Sequence, residues 1–268
     1  MNKYSFTVGI PFYSKSNPQH LIDAIDSIIN QTILPTKIHL IQDGQVNQNL
    51  KKVLNKYQFH SSGLIKIIKL EKKGLPFALN QSIKICKTKF YARMDSDDIS
   101  YPMRFEKQIN YFRKHIDTEI LGSWAYEFEN DFKQENMFLN KTPSIKKEIE
   151  NLVHYRNPLI HSSVMFKVDS IIETGMYDES MLTDQDLELW NRCIRDKRII
   201  KNIQEPLIYL RVKDRLTRRS TWPAVKRQII IRYAYNTSSL KLNFLKLASI
   251  IIRIMPLFIR KWSYKKLR

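Results

Sequence analysis

Two short acidic runs hold the side chains best suited to chemistry: Asp95-Ser96-Asp97-Asp98, and Asp184-Gln185-Asp186 about ninety residues later. The first follows a largely apolar stretch, Phe90-Tyr91-Ala92-Arg93-Met94, that reads as a strand end. Carboxylates crowded at that point repel one another unless a cation or a donor-rich ligand sits among them. In an open α/β sheet the same edge is where ligands bind. A D-x-D pair on a tight turn can hold a divalent cation against a diphosphate, and hard Mg²⁺ or Mn²⁺ prefers such oxygen ligands. A cation so placed neutralises charge on a departing diphosphate. Alone the pair is a weak signal, because Asp-Ser-Asp also suits turns and helix caps.

The elements around these runs alternate. Strands are expected at Phe6 to Pro11, Lys37 to Gln42, Leu64 to Lys69 and Lys89 to Met94. Between them, residues 18–31, 47–58 and 75–86 repeat their apolar positions at helical spacing. That order signals βαβ units in an α/β domain with a mostly parallel sheet flanked by helices. Beyond the first acidic run, a helix is expected from Tyr101-Pro102 to about Lys114 and a strand from Thr118 to Phe128. A helix over 144–155, a strand over 162–167 and a helix from Asp186 to Arg195 complete the pattern.

Of 268 residues, 43% are hydrophobic and 11% aromatic, enough for a buried core. Cys86 and Cys193 stand far apart and read as reduced thiols. The start, Met1-Asn2-Lys3-Tyr4-Ser5, runs straight into a strand without a signal-peptide pattern, so a cytoplasmic location is expected. The formal net charge of +19 is uneven: from Leu210 to Arg268 there are 16 Lys and Arg against one acid, Asp214. A tail from Trp222 mixes aromatic and aliphatic residues with that charge. Its most apolar part, Leu247 to Ile259, spans thirteen residues. That is about 20 Å of helix, short of the roughly 30 Å hydrocarbon core. A basic amphipathic helix lying on an anionic membrane surface is therefore expected, with Trp262 and Tyr264 at the headgroups and Lys265, Lys266 and Arg268 facing lipid. The competing reading is a helix packed on the body with a solvated basic face.

Further segments surround the acidic runs in a recognisable succession. Val8-Gly9-Ile10-Pro11-Phe12-Tyr13, Ser27-Ile28-Ile29-Asn30-Gln31-Thr32, Ile41-Gln42-Asp43-Gly44 and Gly74-Leu75-Pro76-Phe77-Ala78-Leu79-Asn80 come first. Met94-Asp95-Ser96-Asp97-Asp98-Ile99 follows, with Pro102, Arg104, Phe105 and Gln108. His161–Phe166, Gly175–Asp178 and Gln185–Arg192 come later. Together, over about residues 5–211, they resemble the family 2 glycosyltransferases, inverting enzymes of GT-A (Rossmann-like) fold that use nucleotide-diphosphate sugars. The likeness extends to the members that build bacterial capsule, exopolysaccharide and O-antigen chains.

The resemblance implies roles residue by residue. Asp43 would accept from the uracil N3–H, with Pro11 and Tyr13 lining the base site. Asp95 would bind the ribose and Asp97 the Mn²⁺ or Mg²⁺; Asp98 would orient the loop or cap the following helix. Asp186 would be the general base toward an acceptor hydroxyl, with Asp184 its rival; otherwise Asp184 is the N-cap of the Asp186–Arg195 helix. The pattern departs in two places. Gln42 replaces the usual first acid before Asp43, and Tyr209-Leu210-Arg211-Val212-Lys213 lacks the family's histidine. Arg211, Lys213 or Arg215 would supply charge to the diphosphate instead. His161 would touch acceptor or diphosphate, or pack structurally.

The expected organisation is a GT-A domain over 1–221 and a basic helical extension over 222–268. The expected partners are a nucleotide-sugar donor, a polyprenyl-diphosphate-linked glycan acceptor and the inner face of a bacterial cytoplasmic membrane. A sugar nucleotidyltransferase is the enzymatic alternative, but it usually carries a glycine-rich phosphate loop, and residues 8–20 contain only Gly9. A nucleic-acid-binding protein using the basic tail is the non-enzymatic alternative. It leaves the acidic runs unexplained, so no nucleic acid is expected.

Overall fold

The computed structural model describes residues 3–60, 63–129, 137–212 and 222–256. The first half is built from β1 (Phe6–Tyr13), α1 (Pro18–Ile29), β2 (Lys37–Asp43), α2 (Gln48–His60), β3 (Ile65–Leu70), α3 (Leu75–Lys84) and β4 (Phe90–Arg93). Strands β3, β2, β1 and β4 lie side by side in parallel. Seven of the eight residues of β1 are buried, as a strand covered on both faces requires. Helix α1 starts cleanly: Asn17 accepts from the Gln19 and His20 amides, and Pro18 takes the first turn.

The strand does not stop at Pro11, as its sequence suggests, but runs on to Tyr13. Gly9 gives its carbonyl to the Met94 amide, so Pro11, two residues on, has its missing N–H on the same side. There β4 has already left the ladder, and no donor is needed.

The second half comprises β5 (Ile99–Ser100), α4 (Arg104–Lys114), β6 (Ile120–Phe128), β7 (Phe138–Asn140), α5 (Lys146–Leu152), β8 (Met165–Lys167), α6 (Val168–Glu173), α7 (Gln185–Arg195) and β9 (Ile200–Arg211). The sheet continues from β4 through β8, β6 and β9 to β5, with β7 beside β6. Here the pairings are antiparallel except β6 with β9. The α/β class stands as expected, but the sheet is mixed rather than mostly parallel. The short β8 is reached through a 3₁₀ turn at His161–Ser163, where the sequence suggested one continuous strand. β9 escapes the sequence reading because Gln204-Glu205-Pro206 interrupts its apolar run. Those residues sit at a bulge against Ser123 and Trp124, where proline is tolerated.

Two buried clusters sandwich the sheet. On one face β1 meets α1, α2 and α4 through residues such as Phe6, Ile10, Ile25, Leu50 and Phe105. On the other, α3, α5, α6 and α7 pack through Leu79, Ile149, Ile171 and Trp190. The layers hold the C-terminal ends of β1, β2 and β4 together at one edge. Cys86 and Cys193 are free thiols.

Two helices follow, α8 (Trp222–Tyr233) and α9 (Leu240–Ile254). Ile231 of α8 joins the second cluster, and its carbonyl accepts from Asn191 of α7 at 2.9 Å. Helix α9 begins seven residues before the apolar run that marked it in the sequence. Trp262, Tyr264 and the last basic residues lie outside the described residues. Among those described, no helix is long and apolar enough to cross a membrane.

Candidate active site

A cavity of about 890 Å³ opens at the ends of β1, β2 and β4. Its walls include Pro11, Tyr13, Asp43, Asp95, Asp97 and Arg211. The structure thus gathers residues expected for a nucleotide, a diphosphate and a metal from four places in the chain. Lys213 lies outside the described residues.

Asp43 ends β2, in register with Tyr13 of β1. Its carboxylate accepts the backbone N–H of Lys73 at 2.9 Å and that of Gly74 at 3.1 Å. Gly74 holds φ +99°, a conformation that favours glycine, and thereby aims its amide at Asp43. A Cβ there would also meet Leu182, so the chain approaching the second acidic run lies against this end of the cavity.

The Asp95–Asp98 turn converges on itself. Asp95, Asp97 and Asp98 each offer an oxygen within 4.8 Å of the others. Asp97 still reaches solvent, yet its carboxyl is raised to about 6, first by desolvation and then by the Asp95 charge. Asp98 is fully enclosed and raised well above the usual carboxylate range, by burial first and by Asp95 and Asp97 next. One of its oxygens has no hydrogen-bond partner among the described residues. Such crowding fits a hard divalent cation, which would relieve the repulsion that raises these groups. Asp98 does not cap α4: that helix starts from Met103 without a side-chain cap. Its other oxygen accepts the Arg211 amide at 2.9 Å.

Arg211 lies across the mouth of this turn. Its Nε donates to the Asp97 carbonyl at 3.0 Å, and its guanidinium rests 4.6 Å from the Phe128 ring centre. The cation is therefore held in the cavity wall beside the carboxylates.

The second run stands on the first turn of α7. Asp186 accepts a 2.6 Å bond from the Asn157 amide group. Asp184 takes the N-cap position in the left-handed region, φ 60°, but its side chain caps nothing. Neither residue lines the cavity. His161 packs against Trp190 and meets Tyr177 Oη at 2.8 Å, and burial holds its pKa well below the usual histidine value. It is a half-buried imidazole with a tyrosine partner.

Comparison with known proteins completes the picture. Residues 7–171 match the model of glycosyl transferase family 2. The chain belongs to that family. Among its relatives is the amylovoran biosynthesis glycosyltransferase AmsE of Erwinia amylovora, 30% identical over 97% of this chain and 98% of the relative. Another is the Escherichia coli UDP-Gal:alpha-D-GlcNAc-diphosphoundecaprenol beta-1,3-galactosyltransferase, also 30% identical, over 97% of this chain and 95% of the relative. In fold, the glycosyltransferase resembles S. aureus TarS 1-349 in complex with UDP-GlcNAc, with TM-score 0.68 and 15% identity. That match covers 93% of this chain and 72% of the TarS fragment; against the longer TarS chain the covered share falls to 43%.

The sequence reading of this enzyme missed Arg93 and Asn157. Arg93 is 1% exposed and ion-paired to Asp95. Burial, the largest single influence, opposes its charge, but Asp95 together with Tyr177 and Asp98 offsets it and the pKa is raised. A lone arginine inside an apolar strand was the signal, since a buried cation needs a partner. Arg104, also buried, donates to the Arg93 carbonyl at 2.8 Å and to Gln108 at 3.1 Å, bracing the strand end from below. Asn157 carried no such mark, because only the folded chain brings it to Asp186.

Proposed function

We propose that the enzyme moves one sugar from a nucleoside-diphosphate donor, a UDP-sugar, to a polyprenyl-diphosphate-linked glycan, inverting the anomeric centre. The observation that carries this reading is the single cavity walled by Asp43, Asp95, Asp97 and Arg211. The named relatives support it, one acting in amylovoran biosynthesis and one on a diphosphoundecaprenol-linked sugar with UDP-Gal. So does WbnJ, an Escherichia coli O-antigen biosynthesis glycosyltransferase that is 31% identical over 74% of this chain.

On this reading Asp43 accepts from the base N–H, with Pro11 and Tyr13 beside the ring. Asp95, held by Arg93, accepts from the ribose. Asp97, with its neighbours in the turn, holds a divalent cation, which when bound offsets charge on the leaving diphosphate. Arg211 adds a fixed positive charge at the same end. Asp186, oriented by Asn157, takes the proton of the acceptor hydroxyl as that oxygen attacks from the face opposite the leaving group. Residues 1–221 form the catalytic domain, and 222–268 form a basic extension at the cytoplasmic face of the membrane.

Incubating the protein with UDP-, GDP- and dTDP-sugars, Mn²⁺ and a polyprenyl-diphosphate-linked acceptor tests the reading. UDP-sugar turnover with an inverted product is expected, as is its loss in Asp97→Ala. Turnover with retained configuration, or donor binding confined to another nucleotide, would refute the corresponding assignment.

A further inference from the structure

Helix α9 buries a lysine and leaves an apolar stripe exposed. The residues it buries are Lys246 and Ile250. Lys246 is 0% exposed, donates to the Tyr235 carbonyl at 2.9 Å and lies 4.9 Å from the Tyr233 ring centre. Leu242, Leu245 and Ile252 are half-buried beside Lys246 and Ile250. The outer side carries Leu240 and Phe244, 87% and 70% exposed, with Leu247, Ile251 and Ile254 also open to solvent. Their steps of four and three residues place all five on one stripe. Trp222 and Tyr233 of α8 are exposed as well. Five exposed aliphatic and aromatic residues in one stripe on a helix that also buries a lysine mark a surface for an apolar partner outside the protein.

The geometry points to an in-plane docking surface for an anionic lipid bilayer on the Leu240, Phe244, Leu247, Ile251 and Ile254 stripe. Charge selects that occupant over a second copy of the chain. The region from Leu210 to Arg268 carries 16 basic residues and one acid, so two copies meeting here would set like charges face to face. Five of those basic residues, and no acid, fall in the last twelve positions, 257–268. Anionic headgroups answer that charge, while the acyl boundary receives the apolar stripe. The fifteen residues of α9 make about 22 Å of helix, too short to span the core, so the helix lies along the surface. The inference rests on the membrane placement proposed above but uses neither donor, metal nor base.

Sedimentation of the full chain with phosphatidylcholine vesicles, with and without phosphatidylglycerol, tests it beside Phe244→Glu/Ile251→Glu. The wild type is expected to bind the mixed vesicles more strongly than the neutral ones. The double variant should lose at least about tenfold in partitioning. Its circular dichroism and donor binding should stay unchanged, so a failed donor assignment and a failed docking surface read out separately. The milder Leu247→Gln/Ile251→Gln should weaken binding in the same direction. Equal vesicle binding by wild type and variants would overturn the surface. So would a concentration-dependent dimer, seen by light scattering without lipid, that the double substitution dissociates.

Discussion

The Asp98 carboxylate accepts the Arg211 backbone N–H at 2.9 Å, and the Arg211 side chain returns a bond to the Asp97 carbonyl at 3.0 Å. The acidic turn and the end of β9, more than a hundred residues apart, are thereby one unit. Removing the acceptor should damage both. Asp98→Ala strands a buried amide and should cost about 1–3 kcal/mol of stability. Donor affinity should fall with it, because Arg211 loses its register. Asp98→Asn keeps an acceptor and sheds a repelled charge, so its stability should match or exceed the wild type. Urea denaturation and calorimetric titration check both, and an Asp98→Ala protein as stable as wild type would refute the coupling.

Asp186 and Asn157 should separate in kinetics. Asp186→Asn removes the proposed base and should lower kcat by on the order of 10²–10⁴-fold with donor affinity retained. Asn157→Ala leaves the carboxylate but frees it from its 2.6 Å bond. A smaller loss, about tenfold in kcat with KM little changed, is expected. Near-normal rates in Asp186→Asn would move the role to Asp184.

A buried histidine predicts an acid limit. His39 on β2 is 3% exposed, bonds Ser82 Oγ at 2.8 Å and has its pKa lowered to about 4 by burial, then by Lys66. Its folded value lies below the unfolded one of about 6.5, so the unfolded chain binds the extra proton first. The contribution from neutral His39 is full above about pH 6.5 and is lost as pH falls toward 4. His39→Gln should flatten the melting temperature across that window. An unaltered slope would assign the acid sensitivity to other groups.

Gly9 should accept no side chain. A Cβ there would lie 1.6 Å from Tyr91 Oη, inside a fully buried ring bonded to Ser82. Gly9→Ala should therefore destabilise the fold by about 1–3 kcal/mol or more. Adding Tyr91→Phe should restore part of the loss, since the nearest remaining ring atom is 2.4 Å away. Thermal melts of the single and double variants decide it.

Much of this molecule was legible along the chain because the evidence was local. Strands β1 to β4 and the helices between them announce themselves through apolar period and turn residues, and each expected boundary lies within a few residues of the structure. The short α6, β5 and β7 were invisible, being too brief to show a period, and β9 was hidden by its bulge. Asp95 and Asp97 could be singled out because acidic residues crowded after an apolar strand are locally odd, and Asp43 through the family resemblance. Arg93 was passed over inside an apolar run, and its partner explains it only once β4 is buried.

The sequence by itself determined the α/β class and the family and marked the two acidic runs, since strand order, turn chemistry and motif spacing are properties of neighbours in the chain. Tertiary structure alone decided how those groups are used. It set Arg211 beside the acidic turn and Asn157 on Asp186, and it left one apolar stripe of α9 exposed. The physical reason is that contacts between distant segments depend on which faces the packed sheet leaves free, and no local period records that.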